Sequence, residues 1–224
     1  MFRAGATVRV LDGRTAEGSV AFDKGFAVIS IFDYGAGNLR SVQNTLGAIG
    51  AEYELIRDAE GLRRATRLIL PGVGHFGQMM RALDEMNVRS ALVETIRAGV
   101  PFLGICLGLQ ALFTASEEAP EVQGLGVFEG RVKRFQGDMR IPHMGWNQLE
   151  RLRPSRLMNG IGDKPFVYFA HSYYAPVVTA TAAICEYMVP YTAVLEYDNI
   201  YGVQCHPEKS GDLGLQIVRN FVES

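Results

Sequence analysis

From Ala27 onward, short apolar runs alternate with amphipathic stretches, and that rhythm sets the fold class. Ala27–Phe32 (AVISIF) reads as a buried strand, after which Leu39, Val42, Leu46 and Ile49 recur at helical spacing. Strands at Glu52–Ile56 and Arg67–Leu70, helices near Phe76–Met86 and Val88–Arg97, and a strand at Val100–Ile105 continue the order. Strand and helix in strict alternation predict parallel strands with helices on both faces.

After about Leu125 the pattern changes to strand-like pieces joined by turns, at Gly126–Phe135, Pro165–Phe169, Thr181–Tyr187, Tyr191–Tyr197 and Ile200–Cys205. These add antiparallel strands to the first half. A last helix, Leu213–Val222, places Leu213, Ile217, Phe221 and Val222 on one side. The expected fold class is therefore α/β: a single domain over residues 27–224, with a mixed, mostly parallel sheet flanked by helices. Met1–Phe26 fits this pattern poorly and reads as a flexible extension, with an edge strand at Thr7–Leu11 as the alternative.

Composition narrows the function. At 224 residues and 48% hydrophobic, the chain can build a full core without disulfides or metals. With 22 Lys+Arg against 24 Asp+Glu, it lacks the basic excess of a nucleic-acid binder. The longest apolar stretch, Val100–Phe113, contains Gln110 and is shorter than a membrane span requires. Arg3, Arg9, Asp12, Arg14 and Glu17 interrupt any secretory signal, and three scattered cysteines suit a reducing compartment; the expected location is cytoplasmic.

The sharpest local signal is Gly104-Ile105-Cys106-Leu107-Gly108, placed between a buried strand and an apolar-periodic segment, Leu109–Phe113. Glycines two residues either side of Cys106 fit a tight strand-to-helix turn that projects a nucleophile from the end of the sheet. A helix start there offers a positive dipole end and free amides, which favour a thiolate and can hold an oxyanion. A buried cysteine packed at a glycine-rich turn is the alternative. His206-Pro207-Glu208 follows the last strand, and in an extended segment residues 206 and 208 share a side, so Glu208 can orient the imidazole while its other nitrogen faces Cys106.

Pro71-Gly72-Val73-Gly74 follows a strand at the same end of the sheet and can supply a second oxyanion donor; an ordinary strand-to-helix connection is the bland alternative. Cys205 and His206 point opposite ways along a strand, and His75, His143 and His171 lack ligand spacing, so neither metal nor cofactor is expected. Gly35-Ala36-Gly37 opens like a dinucleotide fingerprint, but Arg40 stands where the third glycine belongs.

Six motifs now resemble those of the class I (triad) glutamine amidotransferases. They are Asp33-Tyr34-Gly35-Ala36-Gly37-Asn38-Leu39, the Pro71–Gly74 turn, Gly104–Gln110, Pro142-His143-Met144-Gly145-Trp146-Asn147, His171-Ser172-Tyr173 and His206-Pro207-Glu208-Lys209-Ser210. The second and fourth are most similar to the branch that serves as glutaminase subunits of imidazole glycerol phosphate synthases in histidine biosynthesis. The resemblance implies a flavodoxin-like fold, a catalytic triad of Cys106, His206 and Glu208, and an oxyanion site from Val73, Gly74 and Leu107. It further implies glutamine-binding roles for Gly72, Gln110, Glu118, Ser172 and Tyr173, with Glu118 taking the α-ammonium and the backbone around Ser172 and Tyr173 the α-carboxylate. A (β/α)8-barrel cyclase is the implied partner in a heterodimer, with Asn38, Trp146, Tyr168 and Lys209 at the interface and Trp146 as a buried anchor. A water-poor passage between the two makes physical sense, because ammonia in water is protonated and stops being a nucleophile. Trp146 as a core aromatic on a strand stays open.

Cys205 stands where this family commonly has an aromatic, and reads as a small apolar substitute. The first 26 residues are additional to the pattern, and Val28 becomes an alternative start if its codon is GTG. The basic stretch Arg131–Arg156, with Arg131, Lys133, Arg134, Arg140, Arg151, Arg153 and Arg156, reads as solvated strand faces or as a patch favouring the docked partner. A stand-alone cysteine hydrolase and a non-catalytic binding subunit on the same fold remain the competing functions.

Overall fold

The structure, a computed structural model, describes residues 28–36 and 38–224. The expectations for residues 1–26 lie outside the described residues. Two packed layers of helices enclose one long sheet. The first half runs β1 (Ile29–Phe32), α1 (Leu39–Ala48), β2 (Tyr53–Ile56), α2 (Ala59–Arg64), β3 (Leu68–Gly72), α3 (Phe76–Glu85), α4 (Arg89–Arg97), β4 (Phe102–Cys106) and α5 (Leu107–Ala111). The second continues with β5 (Phe113–Ser116), β6 (Phe128–Arg134), β7 (His143–Arg151), β8 (Phe166–His171), β9 (Tyr173–Tyr174), β10 (Thr181–Tyr187), β11 (Val189–Tyr197), β12 (Ile200–Val203) and α6 (Gly211–Glu223).

The main sheet has the order β2-β1-β3-β4-β12-β11-β10-β7-β8. From β2 to β12 the five strands are parallel, and from β12 to β8 each neighbour is antiparallel. β5, β6 and β9 form a separate small sheet. Alternation along each strand divides the core. Ile29, Ile31, Ile69, Leu103, Ile105 and Val203 pack toward α1 and α6, whereas Phe32, Leu68, Leu70, Phe102 and Ile200 pack toward α2, α3, α4 and α5. β4 lies at the centre, with β3 on one side and β12 on the other, so its carboxyl end is the best-supported point on the sheet rim.

Three glycines let α5 sit directly on that rim. A Cβ on Gly108 would lie 2.0 Å from the Leu70 carbonyl oxygen, one on Gly104 would lie 2.5 Å from the Gly108 oxygen, and one on Gly72 would lie 2.5 Å from the Gly108 nitrogen. Gly202 of β12 completes the seat, its missing Cβ leaving room for Leu109 Cδ1. The helix expected over Leu109–Phe113 starts earlier and stops sooner: α5 ends at Ala111 and Phe113 opens β5. α2 was absent from the sequence expectation, and β7 was present only as the open alternative for Trp146. Among the described residues, no helix is long and apolar enough to cross a membrane.

These contacts order two substitutions. Gly202→Ala meets only a movable side-chain end and should cost about 1–3 kcal/mol, at ~2–4 °C of melting temperature per kcal/mol for a chain of this size. Gly108→Ala meets backbone and should lower the melting temperature much further or prevent folding. Equal thermal melts for the two variants would contradict the seating described.

Candidate active site

β4 delivers Cys106 straight into α5. Cys106 takes φ +53° and ψ −106°, a left-handed backbone that a side chain adopts only when its surroundings force it. The glycines under α5 are that force, and the result is the elbow expected from the sequence. α5 is five residues long, so it offers the free amides of its first turn more than a macrodipole.

The candidate base, His206, follows the neighbouring strand. β12 pairs in parallel register with β4, Gly202 opposite Gly104 and Val203 opposite Ile105, so the segment after β12 emerges beside Cys106. His206 and Glu208 do not lie on one extended segment. Pro207–Lys209 forms a turn of 3-10 helix, which folds Glu208 back so that His206 Nδ1 donates to Glu208 Oε1 at 2.8 Å. Both side chains are nearly closed to solvent. Burial pulls the His206 imidazole down, but hydrogen bonds and charges from Cys106 and Glu208 outweigh it and push it up to about 10. With Nδ1 committed to Glu208, the interaction with Cys106 falls to Nε2. Burial also opposes the Glu208 carboxylate, yet His206 holds it below its ordinary range.

Asn38, expected at an interface, is found against this pair. Its Nδ2 donates to Glu208 Oε1 at 3.2 Å, and Ser41 Oγ donates to Asn38 Oδ1 at 2.7 Å.

Cys106 and His206 open onto a pocket of about 260 Å³. Val73, Gly74 and Leu107 line it beside the nucleophile, and Gln110, Glu118, Ser172 and Tyr173 line its other walls. Sites for drug-sized ligands run to roughly 300–1,000 Å³, so this one suits a small substrate. Gly72 is not among the walls. It is buried at the end of β3, where the absence of a Cβ makes room for α5. Glu118 Oε2 also accepts from the Phe76 amide at 2.8 Å, which ties the pocket to the start of α3. Burial pushes the Tyr34 hydroxyl, beside Val73 and Cys106, up to about 12, so it stays neutral.

Sequence reading passed over Gln204. It is fully buried, accepts from Gln110 Nε2 at 3.0 Å and directs its own Nε2 at Cys106 Sγ, 3.5 Å away. The available signal was positional: Gln204 shares the alternation of Gly202 and His206, the face toward α5. Cys205 takes the opposite face, in the core with α6, and burial drives its thiol far up. Burial likewise pushes Cys185 up to about 11. His143 and His171 are pulled by burial down to about 4 and about 3, and both bond to the Tyr191 hydroxyl as neutral rings.

Beside the pocket lies an exposed apolar face. Trp146 of β7 stands 56% exposed opposite Tyr168 of β8, with the rings 6.2 Å apart, so it is neither a core aromatic nor buried in this chain alone. Lys209 Nζ lies 5.6 Å from the Tyr168 ring centre. The Tyr168 carbonyl accepts the His206 amide at 2.9 Å, so the face and the base share backbone. Met144, 61% exposed, lines the pocket and also an open hollow of about 610 Å³ with Met139, Trp146 and Met188. The basic stretch is not one patch. Arg151 and Arg153 bond backbone carbonyls and Arg156 pairs with Glu196, while Arg131, Lys133 and Arg134 lie on β6.

The family described as glutamine amidotransferase class-I matches residues 30–224. A relative from Methanothermobacter thermautotrophicus, imidazole glycerol phosphate synthase subunit HisH, is 49% identical over 88% of this chain and 98% of its own. HisH subunits of Desulfitobacterium hafniense and Bacillus cereus are 44% and 43% identical, each over 87% of this chain and 93% of theirs. Among solved structures, a glutamine amidotransferase superposes with a TM-score of 0.69 at 20% identity, covering 88% of this chain and 97% of that one. PurLQS from Thermotoga maritima gives 0.69 at 17% identity, over 88% and 98%. The fold, the elbow and these relatives converge: the chain belongs to the class-I glutamine amidotransferase family, in the branch of the imidazole glycerol phosphate synthase HisH subunits.

Proposed function

We propose that the chain is the glutaminase subunit of an imidazole glycerol phosphate synthase. It hydrolyses L-glutamine to glutamate and ammonia and passes the ammonia to a cyclase that makes imidazole glycerol phosphate and AICAR in histidine biosynthesis. The observation that carries this reading is Cys106 set between the Val73–Gly74 turn and the His206–Glu208 pair at the wall of a pocket of about 260 Å³.

Because His206 is held protonated, the pair rests with its proton on the imidazole. The Cys106 sulfur attacks the side-chain amide carbon of glutamine, and the carbonyl oxygen becomes an oxyanion facing the Leu107 amide and the Val73–Gly74 turn. The C–N bond then breaks, His206 Nε2 gives its proton to the departing nitrogen, and a glutamyl thioester remains. His206, now neutral, takes a proton from water; the water oxygen bonds to carbon, the C–S bond breaks and glutamate leaves. Gln110, Glu118, Ser172 and Tyr173 hold the amino-acid end of the substrate. Glu208 fixes the imidazole tautomer, and Asn38 steadies Glu208. A cytoplasmic location is supported by the need to keep the thiol reduced, and all three cysteines are free.

The partner is a (β/α)8-barrel cyclase docked as a heterodimer over Trp146, Tyr168 and Lys209. Support comes from the subunit names of the relatives and from the exposed apolar face that adjoins the pocket through Met144.

In the complex, Cys106→Ala should remove at least about 10³-fold of glutamine-dependent turnover and leave ammonium-dependent turnover intact, while the cyclase and its nucleotide substrate should stimulate glutamine hydrolysis by the native chain. Loss of both activities in the variant, or hydrolysis indifferent to the cyclase, would overturn the assignment.

The His206–Glu208 pair also sets a pH signature. The raised His206 adds stability that is full below about pH 6.5 and fades as pH climbs toward 10. The lowered Glu208 adds stability that is full above about pH 4.5 and fades in acid. Thermal melts of native chain and Glu208→Gln should therefore differ most between about pH 5 and 6.5 and converge toward pH 10; a constant gap across that range would mean the pair is not coupled as described.

A further inference from the structure

Gln204 is a primary amide at 0% exposure, at the end of a strand whose other buried residues are apolar or glycine. An unpaired amide there would cost about 1–3 kcal/mol, so its partners define its purpose. Gln204 Oε1 accepts from Gln110 Nε2 at 3.0 Å. The other Gln110 N–H goes to the Tyr173 carbonyl at 2.8 Å. That carbonyl can only accept, so Gln110 must present its nitrogen, and Gln204 must then answer with its oxygen. The remaining direction is forced: Gln204 Nε2 faces Cys106 Sγ at 3.5 Å. Reversing Gln204 would set N–H against N–H at Gln110 and an oxygen against sulfur lone pairs.

Resting on the glutaminase reading above, we propose that Gln204 is a further catalytic residue: its side-chain amide donates to the Cys106 sulfur and favours the thiolate, with Gln110 as the positioning residue that holds it in that orientation. Such a donor acts twice in one turnover. It lowers the energy of the attacking sulfur anion, and in the second half it favours sulfur as the leaving group when the C–S bond of the thioester breaks and water oxygen bonds to carbon. It loses most of its partner while the sulfur is a neutral thioester. Gln204 approaches the sulfur from the sheet, leaving the pocket side to His206 and substrate.

The test uses the full chain, with carboxamidomethylation of Cys106 by iodoacetamide and glutamine hydrolysis measured side by side. Gln204→Met keeps volume but removes the donor, and Gln204→Asn keeps an amide but withdraws it by one methylene. Both should alkylate about 10-fold more slowly near pH 7, and kcat should fall roughly 10–100-fold, as for loss of a hydrogen bond to a charged group, with KM for glutamine within about threefold. Native melting temperatures identify folded variants, and if Gln204→Met fails to fold, Gln204→Asn decides. Unchanged alkylation in a folded variant, or a loss confined to KM, overturns the proposal. A native chain that alkylates normally but hydrolyses no glutamine, with or without the cyclase, overturns the glutaminase reading instead and leaves the sulfur contact measurable.

Discussion

How closely the first turn of α5 approaches β3 and β4 governs the rest of the molecule. Gly72, Gly104 and Gly108 occupy three places where a methyl group would overlap backbone. With α5 drawn down onto the rim, the chain must reverse within a single residue, and that residue is Cys106 at φ +53°. The nucleophile is thereby fixed by packing, with no flexible loop to wander on. Fixing one partner this firmly makes the parallel register of β12 count, since a slip of one residue would turn His206 to the opposite face of the sheet.

Around that fixed sulfur, Gln204, His206 and Asn38 each have a named hydrogen-bond partner. His206 and Glu208 carry the charge, and the 3-10 turn at Pro207–Lys209 places the carboxylate where an extended strand would have held it at a distance. Tyr34, His143 and His171 are kept neutral by burial, so His171 lines the pocket without competing for the proton. Neutral neighbours matter for the proposed chemistry, the movement of one proton between sulfur, imidazole and nitrogen.

The parallel half of the fold was legible because strands buried on both faces read as continuous apolar runs; in the antiparallel half, β10 matches its expected limits of Thr181–Tyr187. β7 was legible only as an open alternative for Trp146, because Gly145 and Asn147 break the apolar alternation; Trp146 and Met144 stand outward on it. α2 escaped because six residues around Gly61 carry too little periodicity, and its start rests on Asp58 accepting from the Gly61 amide. In the site, Cys106, His206 and Glu208 were legible as motifs. Asn38 against Glu208 was not, because nothing local links positions 170 apart. For Gly72 the sequence showed a motif position and not the packing beneath it, where a Cβ would meet the Gly108 nitrogen. Gln204 was hidden by its neighbours, an amide between an apolar strand and a histidine that took all the attention.

The adjacency of β4 and β12 also sets a time order. The two strands that carry the nucleophile and the base are joined by about ninety residues, among them β5 to β11, and must find one another across that span. Pairings this distant in sequence form slowly and late. A chain still emerging from synthesis holds its cysteine well before its histidine exists, and a chain cut anywhere in between holds it permanently without one. Cys106 and His206 therefore come together only through a pairing that needs the whole intervening chain to be present.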